Sequence, residues 1–425
     1  MRTVIIGIDG VPYDIMKDLS DRGIMPNFKS LREKGIFKKM QAPIPEISSI
    51  SWSSMITGKN PGEHGIFGFM ETIDNSYSLR FPNFESLKQK PFWKKQKGKS
   101  VIINVPSTYP AKPMDGFLVS GFVALDLKNS VYPKKYIEKL KDMDYKIDVD
   151  SQKGHKSKLL FLKDVFETLD SRVKLGNYMW DEIDWETFMF VITGSDRLMH
   201  FLYEAYDDED HKHHEDFLNY FKKVDEAIGK FLDKMKKDDN LIMISDHGFE
   251  KLETDVYVNN VLKENGFLEM DDEPKKRYKN IKKGSKAFAL DPGRIFINLK
   301  DKYPKGSVDS KDKEKVMKKI TEIFENLEKS GKKVIKKVYR KQDLYEGPYT
   351  ENAADLILLS NPGFNLRGSL GKDEVFSKEV FTGKHRQDNA FLFVNTENKD
   401  LIPKNPKVRD VVRIMNKLKG DENYE

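Results

Sequence analysis

FMFVITGSDRLMHF, residues 188–201, is the stretch whose reading decides the fold. Residues 188–192 form a continuous apolar run, the pattern of a strand buried on both faces. Asp196 follows closely, and His200 stands four residues further on. A carboxylate and an imidazole at the end of a buried strand are costly unless something compensates their charge. At the start of a helix, Asp-x-x-x-His sets both side chains on one face.

The same punctuation recurs on either side. Residues 3–8 run into Asp9 in IGIDG, and residues 241–244 run into Asp246-His247 in ISDHG. Further apolar runs lie at 100–105, 117–119, 354–359 and 390–394. Helical periodicity fills the spaces at 26–34, 158–175, 215–236 and 313–329. In 215–236, Phe217, Tyr220, Phe221, Val224, Ala227, Ile228 and Phe231 recur at intervals of three and four. Buried strands alternating with helices predict a three-layer α/β/α unit with a central, mostly parallel sheet. The expectation is one domain over 1–425 with two peripheral insertions, 123–180 and 262–350. The second insertion contains the strand-like GRIFINL, residues 293–299.

Composition narrows the class. With 425 residues and 38% hydrophobic content, the chain can bury a large core. Lys+Arg is 74 against Asp+Glu 68, a net of +6, and the two signs are interleaved, as where KKRYKNIKK directly follows DDEP in the 271–283 region, part of the polar stretch that reaches residue 286. That mixing reads as solvated faces, not a nucleic-acid surface. Cysteine is absent, which removes disulfides and thiolate ligands. No apolar run approaches the roughly 20 residues of a membrane span, and no signal-peptide layout opens the sequence. A cytoplasmic protein with no membrane partner is the expectation.

In an open α/β sheet, ligands gather beyond the carboxyl ends of strands. Any one of Asp9, Asp196 and Asp246 reads equally well as a helix cap. Together, and accompanied by His200 and His247, they read as a cation site, because clustered carboxylates repel one another. Mixed Asp/His donors without thiolate suit Zn²⁺ or Mn²⁺. The segment PIPEISSISWSSMITGKNPGEHGIFGF, residues 43–69, adds a serine cluster before a short helix expected at 51–57. A serine at a helix start sits among open backbone N–H groups that favour a phosphate, although such serines also serve only as caps. His64 reads as structural, His211, His213 and His214 as a solvated loop within DDEDHKHHED, and His155 carries no assignment.

IGIDG, the 43–69 segment, NVPSTYP, TGSDRLMHF, ISDHGF and GKHR, in this order from residue 6 to 386, resemble the alkaline phosphatase superfamily. The resemblance is to the type I phosphodiesterase/nucleotide pyrophosphatase family, in the branch described as predicted phosphohydrolase or phosphomutase. It implies an alkaline-phosphatase-like core, two divalent metal ions (Zn or Mn) and a small-molecule phosphoester substrate. It places the nucleophile at Ser48. One metal is implied at Asp9, Ser48, Asp246 and His247, the other at Asp196, His200 and His385. Ser51 stands where nucleotide pyrophosphatases carry an Asn that binds a phosphate oxygen. Ser51, Trp52, Arg197 and Arg386 are the candidate substrate contacts. Ser48-Ser49-Ile50-Ser51-Trp52 lacks the Pro and Arg of sulfatases.

The implied activity is phosphoester hydrolysis through a phosphoserine, probing diesters and nucleotide-like pyrophosphates first, since no cation follows Ser48 until Lys59. A phosphomutase or phosphomonoesterase could use the same site. A non-catalytic metal-binding module is disfavoured by the complete donor set. The 105–110 segment reads as either a pocket wall or a Pro-bounded turn.

Overall fold

Strands that are apolar on both faces need helices on both sides. The computed structural model, which describes residues 1–273 and 277–420, has that arrangement. Lys275 and Lys276 of the polar 271–286 region, and residues 421–425, lie outside the described residues. Two compact units are present. The first comprises Met1–Lys59, Asn83–Lys251 and the chain from Val380 onward; the second comprises Asn60–Pro82 and Leu252–Glu379. Residues 123–180 fall in the first unit and 262–350 in the second.

The first unit is built on strands β1 (Thr3–Ile8), β2 (Ile36–Met40), β3 (Ser100–Val105), β4 (Gly116–Ser120), β5 (Val131–Tyr132), β6 (Thr187–Ile192), β7 (Asn240–Ile244), β8 (Gly248–Lys251), β9 (Gly383–Arg386) and β10 (Ala390–Val394). Its principal sheet has eight strands in the order β2-β10-β7-β1-β6-β3-β4-β5. The run β7-β1-β6-β3-β4 is parallel, while β10 pairs antiparallel with both β7 and β2, and β5 pairs antiparallel with β4. Strands β8 and β9 form a separate antiparallel ribbon that sets Phe249 opposite His385.

Alternation along the strands feeds two cores. Val4, Ile6 and Ile8 enter one apolar cluster and Ile5 the other. The first cluster is covered by α2 (Lys158–Glu182) and α4 (His214–Leu232). The second is covered by α1 (Ser48–Thr57) and α5 (Val411–Leu418). The three-layer α/β/α expectation therefore describes this unit. A further short helix, α3 (Gly194–Leu202), follows β6.

Helix α1 begins at Ser48, three residues earlier than the expected 51–57. Strand β2, IFKKM, carries no continuous apolar run; it is an edge strand with two consecutive lysines, of which Lys39 is exposed.

The second unit holds a four-stranded antiparallel sheet in which Ala287–Leu290, Arg294–Ile297, Leu356–Ser360 and Ile335–Arg340 are successive neighbours. The apolar run at 354–359 thus belongs to this sheet and not to the parallel one. Thr254–Tyr257 lies between Phe364–Arg367 and Phe376–Ser377 in a three-stranded sheet. Among the described residues, no helix is long and apolar enough to cross a membrane.

Candidate active site

Strands β7, β1 and β6 are neighbours, so the residues leaving their carboxyl ends converge. Asp9 follows β1, Asp196 lies in the first turn of α3 beyond β6, and Asp246 follows β7. All three are buried. The turn after Asp9 requires Gly10, whose φ of +74° favours glycine, and its N–H donates to Asp246 Oδ1 at 3.1 Å.

His200 is one helical turn beyond Asp196, with Nε2 3.6 Å from Asp196 Oδ1. The β8–β9 ribbon delivers His385, whose Nε2 is 3.1 Å from Asp196 Oδ1 and 3.0 Å from His200 Nε2. The His247 ring stacks on His385 with centroids 3.7 Å apart. His247 Nε2 is 3.1 Å from Ser48 Oγ, 3.4 Å from Asp246 Oδ2 and 3.8 Å from Asp9 Oδ1. Ser48 is the first residue of α1, and the preceding Ile47 supplies no side-chain cap. The opening N–H groups of a helix have no intrahelical partners, and its positive dipole end favours an anion.

The back sides of the three imidazoles settle their tautomers. Nδ1 of His200 faces Gly383 O at 3.2 Å, Nδ1 of His385 faces Glu46 O at 2.8 Å, and Nδ1 of His247 faces Gly248 O at 3.1 Å. A carbonyl oxygen only accepts, so each Nδ1 carries the hydrogen and each Nε2 points a lone pair inward.

Two inward lone pairs 3.0 Å apart, on His200 and His385, repel unless a proton or a cation lies between them. Asp9 Oδ1 and Asp246 Oδ2 are buried with no hydrogen-bond partner. The donor atoms form two groups, Asp196/His200/His385 and Asp9/Asp196/His247, each within 4.8 Å. Orphaned carboxylate oxygens and convergent imidazole lone pairs are what divalent cations satisfy, so the residues fit the metals that the motifs imply.

The electrostatics agree. Burial, reinforced by the neighbouring Asp246 and Asp196, raises Asp9 well above the usual carboxylate range. Burial likewise lifts Asp246 to about 6. Asp196 goes the other way: burial opposes its charge, but His200, His385 and Arg197 outweigh it and hold the carboxyl low. Burial depresses His200 to about 4 and also holds His247 well below the usual imidazole range. His385 alone of the three is raised: burial opposes its charge, but the Asp196 carboxylate beside Nε2 favours the protonated ring and outweighs that penalty.

A family model described as type I phosphodiesterase / nucleotide pyrophosphatase matches residues 3–388. The chain belongs to that family. It is a phosphoester hydrolase of the alkaline phosphatase superfamily, as the motifs implied. Solved structures share the fold. Phosphonoacetate hydrolase from Sinorhizobium meliloti 1021, in complex with phosphonoacetate, has a TM-score of 0.65 at 13% identity over 98% of this chain and 95% of that one. Murine ectonucleotide pyrophosphatase/phosphodiesterase 5 has a TM-score of 0.56 at 12% identity, covering 99% and 95%. No curated protein matches by sequence.

The remaining sequence candidates of this family member fall into distinct environments. Trp52 is wholly buried against Gly7, and its indole N–H donates to Asp9 Oδ2 at 3.0 Å. Its surface is taken up by the core and by Asp9, so it positions a carboxylate where a substrate contact was expected. Ser51 is also fully buried, with an unpartnered hydroxyl. Arg197 bonds Asp196 Oδ2 at 2.8 Å and Asp148 Oδ2 at 2.9 Å, which commits both of its terminal nitrogens. Arg386 is partly exposed and bonds Asp388 at 2.6 Å.

His64 is fully buried in the second unit, where its Nδ1 accepts from the Ile66 N–H at 3.2 Å, and burial lowers it to about 3. His213 and His214 are not a solvated loop. They are buried at the start of α4, His213 against Asp216 at 2.9 Å and His214 against Ala205 O at 2.8 Å. His155 packs edge-on against Phe201. The 105–110 segment is a bonded turn, with the Thr108 hydroxyl on Val105 O at 2.7 Å and Ser107 N–H on Phe122 O at 2.8 Å.

Residues that composition and spacing did not single out include Asp148, Arg172 and Thr193. No local signal marks them, because their roles arise from contacts made across long sequence separations.

Proposed function

We propose that the chain hydrolyses small-molecule phosphodiesters or nucleotide-like pyrophosphates through a phosphoserine on Ser48. The observation that carries this reading is the convergence of the Ser48 hydroxyl, at the open end of α1, with His247 Nε2 and three buried carboxylates. Asp9, Ser48, Asp246 and His247 would hold one divalent ion, and Asp196, His200 and His385 the other. Bound Zn²⁺ or Mn²⁺ at these donors supplies Lewis acidity and charge neutralisation toward a phosphoryl group.

The chain's own groups do the rest. Ser48 Oγ forms the new bond to phosphorus as the bond to the leaving oxygen breaks, and the departing alkoxide or phosphate takes up a proton. Water then displaces Ser48, restoring the hydroxyl and releasing the phosphorylated product. The first N–H groups of α1 face the negative charge on the phosphoryl oxygens. His385, through Glu46 O, and His200, through Gly383 O, are held with Nε2 inward throughout.

The preference for diesters is supported by the state of the nearby arginines. Arg197 is committed to Asp196 and Asp148, and Arg386 to Asp388. A diester carries one fewer negative charge than a monoester dianion and makes less demand for a free cation. The inactive T72A form of the murine structural neighbour in complex with AMP accords with a nucleotide-like ligand.

The test compares kcat/KM for bis-p-nitrophenyl phosphate and p-nitrophenyl phosphate, with protein loaded with Zn²⁺ and with Mn²⁺, and acid-quenches turnover for mass spectrometry of the Ser48 peptide. A ratio above one is expected, with the Ser48 peptide carrying a p-nitrophenyl phosphoryl group from the diester and a plain phosphoryl group from the monoester. A ratio well below one would turn the reading to a phosphomonoesterase or mutase. A phosphate on Ser49 would move the nucleophile.

A further inference from the structure

Asp196 belongs to both donor groups of the site, and its Oδ1 is the oxygen nearest to the histidines of both. Its Oδ1 lies 3.1 Å from His385 Nε2, 3.6 Å from His200 Nε2 and 3.9 Å from His247 Nε2. Its Oδ2 is bonded by Arg197 Nη1 at 2.8 Å. This division is unusual for an arginine. A guanidinium beside a carboxylate ordinarily takes both oxygens in a two-pronged pair, which is stronger and better oriented than a single contact.

What prevents it is visible one layer out. Arg197 Nη2 is held by Asp148 Oδ2 at 2.9 Å, and the guanidinium carbon lies 4.2 Å from the Phe122 ring centroid. Asp148 is itself fixed. Its Oδ1 accepts from the Thr193 hydroxyl at 2.9 Å, and that hydroxyl accepts from Arg172 Nη1 at 2.7 Å. Arg172, wholly buried on α2, also bonds the Ile147 carbonyl and reaches Asp148 Oδ1 at 3.5 Å. Asn104, with φ of +66°, donates to the same Ile147 carbonyl at 3.1 Å. Three elements therefore clamp Asp148: the end of β3, helix α2 and the residue that opens α3.

We propose that Asp148 is a positioning residue that holds Arg197 on Oδ2 of Asp196 alone, keeping Oδ1 free for the cations. The proposal rests on the metal-site reading above. It also assigns Thr193 and Arg197 of the TGSDR stretch to one device: Thr193 anchors the anchor, and Arg197 is the arm. Without the charge of Asp148, Arg197 can rotate onto both oxygens of Asp196 and compete with the ions for Oδ1.

Competition, unlike simple loss of support, makes a distinctive prediction for the second substitution. Metal-free wild type, Asp148→Asn, Thr193→Val and the double variant Asp148→Asn/Arg197→Gln are titrated calorimetrically with Zn²⁺ and with Mn²⁺, and kcat and KM are measured on the loaded proteins. Wild type is expected to take up two ions. Asp148→Asn should bind the weaker ion about 10- to 100-fold less tightly, the usual size of an effect exerted through a ligand's own partner. Its kcat should fall by more than its KM changes. Thr193→Val should shift affinity in the same direction by less. The double variant should bind the weaker ion more tightly than Asp148→Asn alone, because the competitor has gone.

A wild type that binds no ions would overturn the metal-site reading. Two ions in wild type with unchanged affinity in both Asp148→Asn and Thr193→Val would overturn the positioning role alone. A double variant no better than Asp148→Asn would overturn it as well.

Discussion

The two ends of the donor set use one residue type in opposite ways. At one end Asp196 faces His200, His385 and Arg197, and its carboxyl is held low. At the other end Asp9 accepts from the Trp52 indole and Asp246 from the Gly10 amide, both neutral donors, and burial with repulsion from neighbouring carboxylates raises both. The first end is organised as an anion before any ion arrives. The second favours its protonated forms, so the ion uptake proposed above would release protons there.

The largest expected effect leaves both ends intact. Ser48→Ala should lose turnover by on the order of a thousandfold or more while retaining ion affinity within a few-fold, since only the covalent route is removed. Steady-state kinetics paired with titration calorimetry measures both, and Ser49→Ala should behave as wild type. Next come the ends themselves. Asp196→Ala should weaken both ions, because its Oδ1 serves both donor groups, whereas His200→Ala should weaken one. Equal losses in the two variants, measured as metal content after dialysis, would erase the distinction drawn above.

A pH comparison sharpens it further. Asp246 has its folded value raised to about 6, above the unfolded value of 3.8. The metal-free fold therefore binds more protons there than the unfolded chain does. The associated stability is present below about pH 4 and is lost as pH rises through about 6. His200, depressed to about 4, changes stability in the opposite direction over the same range, so the wild-type profile alone mixes the two. Subtracting the denaturation profile of metal-free Asp246→Asn isolates the first: relative to the variant, wild type should lose stability between pH 4 and pH 7. A difference that grows with pH would contradict the raised carboxyl. The smallest effect is expected for Trp52→Phe, which deletes one indole N–H to Asp9 at 3.0 Å and keeps most of the packing. About a three- to tenfold loss in kcat/KM is expected, the size of one hydrogen bond of about 1 kcal/mol.

What the sequence disclosed follows from how the signals arise. Asp9, Asp196 and Asp246 were legible because each follows an apolar run, and those runs became the neighbours β1, β6 and β7. His385 was legible only through resemblance to the family. It sits on a four-residue ribbon strand, GKHR, with no periodicity to announce it. Strand β2 escaped notice because an edge strand needs no apolar run. Arg197 and Trp52 were singled out as candidate substrate contacts, but not for the bonds they make. Their partners, Asp148 and Asp9, are 49 and 43 positions away, and nothing local records such a contact. The acidic DDED context suggested open solvent around His213 and His214, yet the amphipathic α4 that they begin carries both into the interior. The apolar run at 354–359 announced a strand correctly, but a run of that length does not say whether its sheet is parallel or antiparallel.

The position of β10 has a consequence for how the molecule comes into being. Ala390–Val394 is inserted between β2 and β7, so Ile36–Met40 has no other partner in the sheet. A nascent chain that has reached residue 380 has therefore left Ile36–Met40 unpaired for most of its synthesis, exposes the flank of β7, and has not yet made His385. Closure of this seam joins positions 350 to 358 residues apart, a step of high contact order. The histidine proposed as a metal ligand and the strand that completes the sheet are thus made within the same few residues of translation.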